Sequence, residues 1–208
     1  GLAKSQQPEV RAAAFAALKS VAAPDDLAVL MNLQSATASR DKKSWREALA
    51  KVARSLEGDA RAPALLASQA ERAEGEDFKA IVAALALIGG KEAASSLTAL
   101  LASPDADRRK DVIRALGGVR NKTALALLEK TAAGGQDATE KLLALRGLLD
   151  VLPQLRELSD TDKLEVLARA WELASRDEEK NAIAAELIRL KKVPQARALM
   201  DKLGINYK

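Results

Sequence analysis

The sequence predicts an all-α protein built from repeated helical hairpins, and three observations carry that prediction. Hydrophobic residues make up 48% of the 208 positions but aromatics only 2%, so the core must come from Leu, Ala, Val and Ile. Abundant Ala favours closely packed helices, because Ala has the lowest helix cost and is depleted in strands. No sustained run alternates apolar and polar residues as a half-buried strand would. Finally, a helix–turn–helix pattern recurs along the chain. Its anchors, Arg11, Trp45, Phe78, Arg109, Lys141 and Lys180, are 34, 33, 31, 32 and 39 residues apart, which is the signature of a repeat array.

The clearest copy runs from Asp105 to Ala133. Ile113, Leu116 and Val119 fall three residues apart on one helical face, with Val112 beside them. Asp105 and Asp107 precede that helix, where carboxylates can accept the unpaired N–H groups of its first turn. Gly117 and Gly118 stand near its end, where a left-handed residue can close a helix. Asn121 or Thr123 can cap a second helix carrying Leu125, Leu127 and Leu128. Neither helix alone has enough apolar surface to fold, so the pair must stack on neighbours.

The same slots recur in the other copies. Unit one has Ala14, Phe15, Leu18 and Val21; unit three has Ile81, Val82, Leu85 and Ile88. Units five and six follow with Ala144, Leu145, Leu148 and Val151, then Ile183, Ala184, Leu187 and Leu190. Unit two matches least well: Ala48, Leu49 and Val52 are followed by Ser55, and Leu56 can take over the last slot. Second helices are expected from Asp26 to about Ala36, Ala60 to Ala73, Glu92 to Ala102, Lys122 to Ala132, Thr161 to Ala174 and Pro194 to Leu203. Pro24, Pro63, Pro104 and Pro194 sit at or beside helix starts, where a missing N–H costs least. Residues 153–160 lengthen the turn inside unit five and read as a surface loop.

Leu2-Ala3-Lys4-Ser5 resembles Leu101-Ala102-Ser103-Pro104, the segment preceding unit four. Residues 2–5 are therefore expected to be the last turn of a helix whose own unit is absent. Gly1 reads as a cloning scar. The first helix, with AAAFAAL, is apolar or small nearly all round, although a terminal repeat should present a polar outer face. The expectation is a single repeat domain over residues 1–208, the C-terminal piece of a longer protein. Its open N-terminal end could pair with another molecule. The natural N-terminus is expected to be missing, so the sequence assigns no compartment.

PEVRAAAFAAL and DRRKDVIRALGGV, each followed by a second Leu-rich helix, resemble HEAT repeats of the bacterial type. The resemblance extends from Pro8 to Leu203. It implies a right-handed α-solenoid of about six helical hairpins, with first helices on the convex side and second helices lining a concave surface. It also implies a structural role for Arg109, pairing between units. Trp45 and Phe78 stand where the family usually has Arg, which interrupts an Asp–Arg ladder. Functionally, the resemblance implies a scaffold, or a module that binds other macromolecules.

Composition narrows the chemistry. The chain has no His and no Cys, which removes Ser–His–Asp and Cys–His arrangements and the usual zinc ligand sets. Disulfides are excluded with the cysteines. The acidic clusters Glu74–Asp77 and Asp177–Glu179 lie at predicted helix starts, where capping and the helix dipole explain them. Asp160 and Asp162 are likewise read as caps, because the remaining ligands of a calcium loop are missing. Gly89-Gly90, Gly117-Gly118 and Gly134-Gly135 lack a following Lys-Ser/Thr and read as turn glycines. No cofactor or metal is expected, and no apolar run approaches the length needed to span a bilayer.

The remaining constellation is basic, although 33 Lys and Arg against 29 Asp and Glu leave a net charge of only +4. Arg108, Lys110 and Arg114 lie on one helix, and Arg120 and Lys122 follow it. Lys42, Lys43 and Arg46 begin an earlier helix, and Arg189, Lys191 and Lys192 end a later one. Together with Trp171 these are the candidate nucleic-acid contacts of a HEAT-like, glycosylase-like protein. A solvated face is the plainer reading, with Trp45 and Trp171 as packing residues. The sequence thus favours a non-catalytic module whose partner is another protein, or other domains of the same polypeptide.

Overall fold

The computed structural model describes residues 2, 5, 7–21, 25–34, 37, 41–57 and 59–207, and of 18–21 the backbone alone. The readings of Gly1, of most of residues 2–5, of the Leu18 and Val21 side chains, of Pro24 and of a helix end at Ala36 lie outside the described residues. The protein is all-α. Its helices are α1 (Pro8–Val21), α2 (Asp26–Leu33), α3 (Lys42–Ser55), α4 (Ala62–Arg72), α5 (Gly75–Ile88) and α6 (Gly90–Leu101). They continue as α7 (Ala106–Gly117), α8 (Lys122–Gly134), α9 (Ala138–Val151), α10 (Asp160–Leu173), α11 (Asp177–Arg189) and α12 (Pro194–Leu203). Among the described residues there is no strand, and no helix is long and apolar enough to cross a membrane.

Local chemistry sets most of the boundaries. Asp105 Oδ1 accepts from the backbone N–H of Asp107 at 2.8 Å and of Arg108 at 3.2 Å, opening α7. Of the two candidates for α8, Asn121 is the cap, accepting from Ala124 N–H at 2.8 Å. Ser159 and Asp162 form a reciprocal capping box on α10, so Asp162 completes the cap that Ser159 begins. Gly89 and Gly90 have φ of 63° and 77°, values open to glycine, and let α6 begin two residues earlier than expected. Gly117 departs from its expected role. Its φ is not positive, and its Cα instead lies so near Gly147 of α9 that a Cβ on Gly147 would stand 3.2 Å from it. The residue is glycine for close approach of two backbones.

The chain divides into two compact units, Gly1–Ala115 and Leu116–Lys208. In the first, α3 packs between α1 and α5, and α4 packs against α2, α5 and α6. Phe15, Leu30, Trp45, Leu49, Leu66, Ile81 and Leu97 fill that core. Trp45 is fully buried, and its Nε1 donates to Leu30 O at 2.8 Å. Leu56 is buried while Ser55 turns its hydroxyl to Val52 O, as the weak second copy required. On α1, Ala12, Ala13, Ala16 and Ala17 are exposed.

In the second unit, α9 packs on α8 and α11, and α10 packs on α8, α11 and α12. Leu128, Leu148, Leu167, Leu187 and Met200 are buried there. The longer turn after α9 begins as a 3₁₀ turn over Leu152–Gln154 and buries both Leu152 and Leu155, so it also contributes to the core.

The anchor column needs one correction. Arg11, Trp45, Phe78 and Arg109 are buried, but Lys141 is exposed and Lys180 only half-buried. Glu140 and Glu179, one residue earlier, occupy the buried slot at 2% exposure each. A lysine ammonium is costly to bury without a partner; the acids have donors nearby.

Candidate functional site

The basic side chains singled out from the sequence are, for the most part, engaged within the protein. Arg108 reaches back from α7 to the C-terminal end of α4. Its Nη1 donates to Ala73 O at 3.1 Å and its Nη2 to Ala70 O, while the guanidinium stacks 4.0 Å from the Phe78 ring centroid. Carbonyls at a helix end lack intrahelical donors, and a cation there also meets the negative end of the helix dipole. Stacking on Phe78 adds a cation–π contact.

Other basic residues do similar work. Arg109 Nη1 donates to Ser103 O at 2.7 Å and Pro104 O at 3.0 Å. Arg11 makes the corresponding bond to Ser5 O at 2.6 Å and pairs with Asp41 at 2.6 Å. Lys42 Nζ donates to Gln34 O at 2.6 Å, just past the end of α2, and to Asp77 at 2.5 Å. Arg46 lies 3.8 Å from the same carboxylate. A basic group early in a first helix thus closes either the turn just before it, as Arg109 and Arg11 do, or the end of an earlier second helix, as Lys42 and Arg108 do.

Lys110 and Arg114 are paired along their own helix. Lys110 Nζ stands 3.8 Å from Asp107, and Arg114 donates to Asp111 at 2.9 Å. Arg120 and Lys122 belong to the second unit and are exposed. Of the beginning and end clusters, Lys43 is exposed and Arg189 pairs with Glu186 at 2.6 Å. Trp171 is half-buried, and Lys180 Nζ lies 5.8 Å over its ring. A stacking base would have to displace that ammonium.

The acidic clusters act between helices as well as at helix starts. Asp77 holds Lys42 and Arg46 of α3. Glu178 and Glu179 both bind Arg146 of α9, at 2.7 and 2.8 Å. Glu74, at the start of α5, makes no side-chain cap bond. Sequence inspection missed Arg146 and the bond from Arg169 to Glu129. Their only sequence signal is an opposite charge roughly one repeat away. Among the described residues, no three acidic side chains converge as metal ligands do.

Two pKa directions describe the same local bonding. The Ser159 hydroxyl, then its backbone N–H, hold the Asp162 carboxyl below the ordinary aspartate value, with Lys122 adding a smaller attraction. The Glu129 carboxylate raises Arg169 further into its charged range.

No protein-family model matches this sequence, and no curated protein matches it significantly.

Proposed function

We propose that this chain is a non-catalytic interaction module, a HEAT-like right-handed α-solenoid of about six helical hairpins. In this reading it binds another protein or spaces domains of the same polypeptide. The observation that best supports the reading is the closure of a helix end by a basic side chain from a later helix, seen at Arg108 and Lys42, with Arg109 closing the turn before its own helix. Such side chains specify how one helical pair sits on the next, and they are withdrawn from phosphate contacts. The lack of His and Cys leaves the commonest general base and nucleophile pairs out of reach.

The competing nucleic-acid reading rests on Arg108, Lys110, Arg114, Arg120, Lys122 and Trp171. Of that set, Lys110 and Arg114 are ion-paired along α7, Arg108 is bonded to the end of α4, and Arg120 and Lys122 are exposed. Fluorescence anisotropy of a labelled duplex at two salt concentrations separates the readings. We expect no saturable binding, whereas a phosphate-binding protein would lose about 10³-fold or more in affinity between about 50 and 200 mM salt. Steeply salt-dependent binding that disappears in Arg120→Ala/Lys122→Ala would overturn the proposal. Small-angle scattering tests the architecture: a globule of this length has a radius of gyration of about 17 Å, and a solenoid must exceed it clearly.

A further inference from the structure

The second compact unit, Leu116–Lys208, contains a cleft of about 310 Å³ where the end of α8 and start of α9 meet the α10–α11 turn. Its walls include Ala132, Leu142 and Leu173, and its polar lining is Lys141, Glu172, Ser175, Arg176 and Glu179. One of these groups is incompletely satisfied. Glu179 is 2% exposed, and its Oε1 accepts from Arg146 Nε at 2.8 Å. Its Oε2 is buried and has no hydrogen-bond partner. A buried carboxylate oxygen without a donor bears the desolvation cost of a charged group unrelieved.

The preceding first helix supplies an internal comparison. Glu140 occupies the same slot, and its Oε2 accepts the backbone N–H of Gln136, four residues earlier, at 3.0 Å. The counterpart of Gln136 is Ser175, which lines the cleft instead. The turn closes onto Glu140 and stands open at Glu179.

We propose that this cleft binds a small aliphatic zwitterion of the α-amino-acid type. The ligand's ammonium donates to Glu179 Oε2, its carboxylate lies between Lys141 and Arg176, and its side chain packs on the Ala and Leu walls. In this arrangement Oε1 keeps its bond to Arg146, and the ligand's ammonium approaches Oε2 from the cleft that Glu179 lines. The charge balance selects the class. Two acids and two bases line the cleft, so a purely cationic or anionic ligand leaves one pair unmatched, whereas a zwitterion engages both. The volume falls at the small end of ligand clefts. The proposal is independent of the solenoid reading, since it needs only the second compact unit.

The test is a titration of the full chain, ¹⁵N-labelled, with L-leucine, L-leucinamide and 4-methylpentanoate. Leucine is expected to give saturable amide shifts centred on Lys141, Ser175 and Arg176. Leucinamide, lacking the carboxylate, and 4-methylpentanoate, lacking the ammonium, should each bind about tenfold more weakly or worse, the loss of one charge-assisted bond. Lys141→Met should weaken leucine by a similar factor and leave leucinamide unchanged. Glu179→Gln should abolish the preference for leucine over 4-methylpentanoate. That substitution also strips a partner from Arg146, so the exposed Lys141 decides the question should Glu179→Gln fail to fold. No saturable shift with leucine, equal binding of the three probes, or an unaffected Lys141→Met each overturns the proposal.

Discussion

Replacing Gly147 with alanine sets two opposing effects against each other at one position. Glycine inside a helix costs about 1 kcal/mol relative to alanine, so propensity alone favours the substitution. Packing opposes it. A Cβ on Gly147 would lie 3.1 Å from Leu128 Cδ2 and 3.2 Å from Gly117 Cα. The leucine tip can rotate away, but the Gly117 backbone belongs to α7 and moves only with its helix. Overpacking of this kind costs about 1–3 kcal/mol, so we expect Gly147→Ala to destabilise the protein by about 1 kcal/mol net. Gly134, the last residue of α8, is the control: a Cβ there meets nothing within 4 Å. Gly134→Ala should therefore stabilise by about 0.4–1 kcal/mol. Urea unfolding at 25 °C, followed by circular dichroism, reads the gap between the two variants, and for a chain of this length each kcal/mol shifts Tm by about 2–4 °C. Should Gly147→Ala prove as stable as Gly134→Ala, the close approach of Gly117 and Gly147 would be refuted as the reason for both glycines.

Further substitutions test the other contacts. Asn121→Ala removes the α8 cap and should cost about 1 kcal/mol in the same urea assay; an unchanged midpoint would mean that Thr123 or water replaces it. Trp45→Phe keeps most of the ring volume but leaves the buried Leu30 carbonyl without its donor, for an expected loss of about 1–3 kcal/mol. Arg108→Ala should lower stability by freeing the Ala70 and Ala73 carbonyls, while its duplex-DNA titration stays identical to that of the parent chain. Because the Asp162 carboxyl is held below its ordinary value in the folded protein, its contribution is complete above the unfolded value of about 3.9 and is lost as pH falls through the folded one. Ser159→Ala should therefore flatten the acid limb of the stability–pH profile below about pH 4. Parallel profiles for the two proteins would contradict that assignment.

The helices were legible because their signals are local. Asp105 and Asn121 act on N–H groups two or three residues away, Asp162 was read as a cap although Ser159 is the residue that begins it, and the Leu and Ala spacing marks the buried face of each helix. Trp45 and Leu56 could be placed in the core for the same reason. The candidate site was harder to read. Arg108 looked like one member of a basic surface cluster, yet its partners are carbonyls 35 and 38 residues earlier. Nothing in its neighbours along the chain reports those acceptors. Glu140 and Glu179 were passed over because lysines one residue later preserved the spacing of the column. Spacing along a helix locates a face to within a residue, and the electrostatics of burial chose between the two positions.

Sequence alone therefore determined that this protein is all-α, where its helices begin to within about two residues, and most of the apolar residues that enter the core. Those outcomes follow from propensity, capping and periodicity, all of which act over a turn or two of chain. Tertiary structure decided which charges are used internally, why Gly117 and Gly147 must be glycine, and where a buried carboxylate oxygen is left without a donor beside a cleft. The contacts of Arg108 with α4, of Gly117 with Gly147 and of Arg146 with Glu179 join groups 30 or more residues apart in the chain, where contact is fixed by packing between helices and leaves no local trace.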